Sequence, residues 1–279
     1  MPARFTLPFA AATMAASAVI GVLVAVAPAA SAAAARPTLA VHVGTTRVVS
    51  ARSTVRPGRV DFRNTGTRPI VILTAGPGED AKTLVHALND ASISPAVAYR
   101  RFPIDGLVSG GTDAFVSLRS GTVFLIDAER SKFAVKNITA ITVIGQRLDA
   151  TAPKSATLTV NRTGTITPVR GAAPRDAYLH LINRSDHTAG LLRIAVRRTA
   201  SAAAVRRFIA NPGPRRLGSL LAPGRAPALV TLLSGHRGTW THYHVRAGRY
   251  LLWINRADVR VSRASSAFKP GMFRLLTVR

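Results

Sequence analysis

A long internal repeat limits the fold of this chain more than any other feature. Val60-Asp61-Phe62-Arg63-Asn64 recurs as Leu179-His180-Leu181-Ile182-Asn183 at an offset of 119 residues. Ser120-Gly121-Thr122-Val123 recurs as Ala247-Gly248-Arg249-Tyr250 at an offset of 127. A period this long means duplication of a whole domain, not a stack of short repeats. Inside each copy, short runs alternate apolar and polar side chains between turn residues. Leu39, Val41 and Val43 share one face of a run from Thr38 to Val49, and Leu179 and Leu181 alternate with His180 and Ile182. Such runs predict an all-β fold of two tandem Greek-key sandwiches.

Further strands are expected at Ile70 to Leu73, Ala114 to Leu118, Val123 to Asp127 and Ile138 to Ile144 in the first copy. The second copy has Leu191 to Val196, Leu229 to Leu233, Tyr250 to Ile254 and Phe273 to Val278. One short helix interrupts each sandwich. Asp80 caps the first, with Leu84 and Leu88 at helical spacing; Ser201 caps the second, with Val205 and Ile209. In this alignment Ser234 to His244 has almost no counterpart and reads as an insertion. The boundaries are 36–148 for the first module, 149–155 for a linker with Pro153, and 156–279 for the second.

Residues 1–35 read as a secretory signal peptide. Arg4 is the only charge before Arg36, an Ala/Val/Ile-rich stretch follows, and Ala30-Ser31-Ala32 supplies the small-residue ending for cleavage near Ala32. The expected destination is outside a bacterial cell, secreted or associated with the envelope, with no transmembrane anchor after cleavage. The chain has no cysteine, so disulfides and lipid attachment through a thiol are excluded. Lys and Arg total 38 against 12 Asp and Glu, a formal net charge of +26. A surface so basic is attracted to anionic cell-envelope polymers or a lipid surface, with no specific nucleic acid expected. Arginine-rich drift in a high-GC genome produces the same composition, and the sequence leaves both readings open. Arg197, Arg198, Arg206, Arg207, Arg215 and Arg216 form the densest run and bracket the second predicted helix.

From Ala156 to Arg279 the chain resembles the cupredoxin-like domains of actinobacterial secreted proteins. The resemblance is carried by Leu179 to Asn183 with His187 downstream, Leu221-Ala222-Pro223-Gly224, Ala247-Gly248-Arg249-Tyr250, and Gly271-Met272 before a last strand. A weaker copy covers Thr38 to Gln146. The resemblance implies a copper site of two histidines, a cysteine and a methionine, in which thiolate and imidazoles hold the ion in a trigonal arrangement. By the same resemblance His187 takes the first histidine position and Met272 the methionine position, while Ile254 stands where the cysteine is expected. In the first module the corresponding positions fall at Arg68 and near Asp127. The ligand set is therefore largely lost, and no cofactor is expected.

Three histidines carry a separate metal hypothesis. His242 and His244 lie two apart on a presumed strand and so face one side, and His236 is near in sequence. The competing reading is a polar strand face. Trp240, Tyr243 and Tyr250 with Arg237, Arg246 and Arg249 could likewise form a basic-aromatic face or simply sheet core with a charged rim. No nucleophile elbow or phosphate loop is present, since Gly76-Pro77-Gly78 lacks the Lys-Ser/Thr ending. The sequence points to a secreted, non-enzymatic binding or structural protein of the envelope. The alternative is an extracellular copper- or zinc-binding protein using histidines of the second module. One consequence holds for any alignment. The intense blue band of type 1 copper needs a copper–thiolate bond, so a copper titration followed in the visible spectrum is expected to show none.

Overall fold

The computed structural model describes residues 37–148, 150–167, 172–224, 227–256 and 271–279. The residues assigned to the signal peptide lie outside this set. The first module contains β1 (Thr38–Val43), β2 (Val48–Ser50), β3 (Thr54–Val55), β4 (Gly58–Asn64) and β5 (Ile70–Thr74). Two helices follow, α1 (Ala81–Asn89) and α2 (Pro95–Arg101), then β6 (Ile104–Val108), β7 (Asp113–Leu118), β8 (Gly121–Asp127) and β9 (Thr139–Val143). The second module contains β10 (Ser155–Val160), β11 (Ala172–Ala173), β12 (Asp176–Asn183), β13 (Ala189–Ala195), α3 (Ala202–Ala210) and α4 (Pro214–Leu220). It ends with β14 (Ala228–Leu233), β15 (Arg237–His244), β16 (Gly248–Arg256) and β17 (Phe273–Val278). The all-β class with tandem sandwiches and short helices is the observed one.

The two modules share one connectivity. Sheet order β3-β9-β8-β5-β6 in the first matches β11-β17-β16-β13-β14 in the second. The parallel pair β1–β4 matches β10–β12, and the antiparallel pair β4–β7 matches β12–β15. Even an irregularity is repeated: the ladder slips between Ile72 and Leu73 in one copy and between Leu191 and Leu192 in the other. Each sandwich buries one core between its sheets, with Leu39, Phe62, Ile72 and Leu125 in the first and Leu158, Leu181, Leu191 and Leu252 in the second. The opposite face of β5 and β8 is covered by α1 and α2, through Val71, Leu73, Phe124, Leu84 and Tyr99. α3 and α4 cover β13 and β16 through Val205, Phe208, Leu217, Ile194 and Leu251. Strands buried on both faces must be apolar at every position, which explains the unbroken run Ile70-Val71-Ile72-Leu73.

Asp80 and Ser201 do cap α1 and α3, accepting from the backbone N–H of Thr83 and Ala204. Among the described residues each module nevertheless has two α-helices rather than one. The second begins at a proline, Pro95 after the cap Ser94 and Pro214 after Gly213, where a ring with fixed φ and no N–H fits the first turn. The supposed insertion is corrected as well. Residues 237–244 form β15, the counterpart of β7, and the strand without a recognised partner is β6, the counterpart of β14. Ile104-Asp105-Gly106-Leu107-Val108 was hidden by its Asp and Gly, yet all five residues are buried.

The modules are not separate sandwiches side by side. β15 pairs with β7 through Thr239↔Val116, Trp240↔Phe115 and Thr241↔Ala114. This joins one sheet of each module into a single seven-stranded sheet, β10-β12-β15-β7-β4-β1-β2. Leu232 of β14 is buried in the helix-side core of the first module.

The repeated Asn64 and Asn183 have a physical reason. Asn64 Nδ2 donates to the carbonyls of Arg68 and Val108 at 2.8 and 3.2 Å, and Asn183 Nδ2 donates to those of His187 and Leu233 at 2.7 and 3.0 Å. Each Oδ1 accepts a backbone N–H two residues on, from Gly66 or Ser185. One buried amide thus clips a loop to the end of a neighbouring strand in each module. Replacing Asn183 with Ala strands two buried carbonyls, each costing about 1–3 kcal/mol. Urea unfolding is expected to show a loss of about 3 kcal/mol for Asn183→Ala, and a similar loss for Asn64→Ala, where an exposed-site control such as Thr199→Ala changes little.

Candidate functional site

The positions implied by the copper resemblance do not form a copper site. In the first module Arg68 and Asp127 do meet, as an ion pair with Nη1 2.8 Å from Oδ2. A guanidinium stands there against a carboxylate buried to 1% exposure, and a cation between them would face like charge. In the second module His187 sits half-buried in the loop after β12. Met272 packs in the helix-side core with Phe208, Leu251 and Phe273, and Ile254 lies between the two sheets. The chain offers no thiolate. These residues do not fit a blue-copper ion.

A different cluster forms on the outer face of the shared sheet, where three strands bring distant residues together. Alternation points Asp176, Tyr178 and His180 of β12 away from the core, opposite His244, His242 and Trp240 of β15. β7 adds Phe115, opposite Trp240, and Asp113. His180 stacks on Trp240 with ring centroids 3.9 Å apart, and the Arg59 guanidinium lies 5.3 Å from the Trp240 ring. Arg59 Nη1 also donates to the carbonyl of Ala150 at 2.6 Å, so the connecting segment is held across this face. Tyr178 stacks on His242 and donates its hydroxyl to Asp113.

His242 is gripped on both sides. Its Nδ1 is 2.7 Å from Asp113 Oδ1, in the first module, and its Nε2 is 2.6 Å from Asp176 Oδ1. His244 lies near the same carboxylate, with Nδ1 3.6 Å from Asp176 Oδ1. His236 is elsewhere. It precedes β15, and six residues of strand put it about 20 Å from His242. Its Nε2 pairs with Asp186 Oδ1 at 2.8 Å. The three histidines grouped by sequence are therefore divided between two ends of one strand. The orienting carboxylates, which sequence proximity did not reveal, come from positions 113 and 176. Tyr243 and Tyr250 point into the second core while Trp240 points outward, so the proposed basic-aromatic face is not one face.

At the His236 end, a cleft of about 440 Å³ spans both modules, lined by Arg100, Arg119, Asp186, Thr188, His236 and Arg237 among others. Beneath it Asp105, 2% exposed, pairs with Arg237 of the second module at 2.9 Å and accepts from Thr74. Burial pushes the Asp105 carboxyl up despite the nearby Arg237 charge. Ser234 adds two bonds, its N–H to the Ile104 carbonyl and its Oγ from the Ile104 N–H, both 2.8 Å.

The six arginines singled out by sequence are all exposed, on or beside α3 and α4. No ion pair joins any of them to a carboxylate among the described residues. The local sequence explains this: from His187 to Ala257 there is no Asp or Glu at all. The first module's helical layer differs, since Arg101 is neutralised by Glu79 at 2.7 Å.

No protein-family model and no curated protein matches this chain. Among solved structures it is similar to auracyanin B, at 17% identity and a TM-score of 0.28, over 46% of this chain and 91% of that one. It is also similar to auracyanin A, a blue copper protein from the green thermophilic photosynthetic bacterium Chloroflexus aurantiacus, at 16% identity and a TM-score of 0.27, over 46% and 100%. A copper-containing nitrite reductase from Thermus scotoductus is similar over 87% of this chain and 61% of its own, at 10% identity and a TM-score of 0.24. Likeness at this level carries no argument about metal, activity or partner, and the strand ladders alone define the fold.

The stacked His180 makes the junction acid-sensitive. Burial, and secondarily the Arg59 charge, push its pKa down to about 4. The folded protein then binds fewer protons than the unfolded chain between the ordinary value of about 6.5 and about 4, so stability falls as pH falls through that window. Thermal unfolding across this range is expected to show a declining midpoint, and His180→Phe, which keeps a ring on Trp240, is expected to flatten that decline. An unchanged slope in the variant assigns the acid limb elsewhere.

Proposed function

We propose that this chain is an exported, non-enzymatic binding protein that docks on phosphate- or carboxylate-bearing polymers of the cell envelope through the helical face of its second module. The observation that carries this reading is the concentration on α3 and α4 of exposed arginine that pairs with no carboxylate among the described residues, in a stretch of sequence without one. Guanidinium forks suit phosphate and carboxylate oxygens, and they retain their charge at any physiological pH. A polymer fits better than a bilayer. The exposed large apolar side chains among the described residues are Val49, Val97, Val135 and Ile144, all in the first module or its exit, so the arginine face carries no apolar wedge for lipid.

Export rests on residues 1–35, which lie outside the described residues. No helix among the described residues is long and apolar enough to cross a membrane.

Co-sedimentation with isolated wall polymer across a salt series tests the reading. Binding is expected in dilute salt and is expected to fade as the Debye length falls from about 30 Å at 0.01 M to about 3 Å at 1 M. Replacing Arg206, Arg207, Arg215 and Arg216 with Gln is expected to remove most of it. Salt-independent recovery in the supernatant rejects docking; binding that survives the four replacements rejects this face. Equal or stronger capture by anionic vesicles rejects the polymer in favour of lipid.

A further inference from the structure

Asp176 and His244 are cross-strand partners at the solvent end of β12 and β15, and His242 lies one step inward on the same face. Asp176 Oδ1 stands between the two imidazoles, 2.6 Å from His242 Nε2 and 3.6 Å from His244 Nδ1. The far nitrogen of His242 is held by Asp113 from the other module at 2.7 Å. In a chain of 38 basic and 12 acidic side chains, two carboxylates converging on one imidazole is a costly arrangement to place by chance. We infer that Asp176, His242 and His244 bind one first-row divalent cation of zinc or copper(II) type, with Asp113 as the carboxylate that orients His242.

The chemistry follows from the donor set. Two imidazoles and one carboxylate suit zinc and copper(II), and a solvent molecule completes the shell. A carboxylate on Nδ1 fixes the ring and leaves Nε2 to ligate, the usual support behind a metal-bound histidine. As the cluster stands, the His242–Asp176 hydrogen bond closes it, so no three ligands are preassembled around a point among the described residues. Two of the three donor separations need only small adjustments. Donors bonded to zinc at 2.0–2.1 Å in a tetrahedron lie about 3.3 Å apart. The Asp176–His242 separation must lengthen by about 0.7 Å and the Asp176–His244 separation shorten by about 0.3 Å. Asp176 and His244 are 62% and 80% exposed in their side chains, free to make that movement. The ion replaces the proton shared by His242 and Asp176, which leaves to solvent.

This site is separate from the arginine face and from the positions of the copper resemblance. It includes neither His236, His187 nor Met272. Because Asp113 belongs to the first module, occupancy also ties the two modules together.

Titration of the purified, tag-free chain with zinc chloride, followed by calorimetry in buffers of different ionisation enthalpy, tests the inference. One equivalent is expected to bind with net proton release, and binding is expected to weaken as pH falls, because protons compete with the ion for the ligand atoms. His244→Ala, at an exposed position that leaves the fold intact, is expected to weaken binding at least about tenfold, Asp113→Asn by about 10–100-fold, and His236→Ala not at all. Unchanged unfolding midpoints without metal separate ligand loss from misfolding. Undetectable binding by the parent chain, or equal affinity in His244→Ala, overturns the site. Loss on His236→Ala with retention on His244→Ala moves the ion to the opposite end of β15.

Discussion

The pairing of β15 with β7 is the contact on which the rest of the molecule depends. Three cross-strand pairs convert two sheets into one, and the His242 cluster, the His180–Trp240 stack and the Asp105–Arg237 pair gather around that seam. A backbone ladder is nearly blind to sequence, because every residue offers the same N–H and carbonyl. Side chains must set the register. Ser234 does so by accepting the Ile104 N–H on its Oγ at 2.8 Å, and Thr239 Oγ1 adds a bond to the Phe115 carbonyl at 3.1 Å. Asp105 and Arg237 place a charge pair at the same seam, its carboxylate buried and its guanidinium at the cleft. Removing Arg237 would leave the buried Asp105 carboxyl without its cation, so a slipped register is penalised. The raised Asp105 carboxyl shows the other side of that arrangement: burial already outweighs the attraction of Arg237.

Much of this fold could be read from the sequence, and the reasons are local. Alternation at Leu39-Val41-Val43 and Leu179-Leu181 is visible because one face of those strands meets the core and the other meets polar surroundings. Asp80 and Ser201 are visible as caps because capping is satisfied within four residues. The duplication was legible through Asn64 and Asn183, whose buried amides repeat the same three bonds. What escaped was non-local. β6 reads as a loop because Asp105 and Gly106 interrupt its apolar pattern, and both are explained only by the other module: Asp105 by Arg237, and Gly106 by Thr239, whose Oγ1 would lie 3.1 Å from an added Cβ. Once β6 was missed, β14 was matched to β7, and β15 became a surplus segment.

The candidate sites divide along the same line. Met272 was named for its chemistry but is placed by its shape, among Phe208, Leu251 and Phe273. His236, His242 and His244 were joined by closeness in sequence, whereas a strand spreads neighbours along its length at about 3.3 Å per residue. The partners that give His242 its setting lie 66 and 129 residues away. No periodicity encodes such a contact, since it depends on the order of strands across a sheet that two modules build together.

The acidic residues explain the charge better than the basic ones do. Among the described residues, Asp80 caps a helix, Glu79 holds Arg101, Asp127 holds Arg68, and Asp105 holds Arg237. Asp113 and Asp176 hold His242, and Asp186 holds His236. Carboxylates are thus kept largely where a bond within the fold requires them. Compositional drift would favour arginine in place of lysine, because the two codon sets compete for the same charge. It does not by itself account for the missing acids between Asp186 and Asp258, where α3 and α4 present exposed positions that would tolerate Glu at no cost to packing. Exposed acids on those helices would pair with Arg206 or Arg207 at i,i+4 spacing and add a few tenths of a kcal/mol each. Their absence forgoes that stability and leaves the arginine charge turned outward, the condition an anionic partner requires.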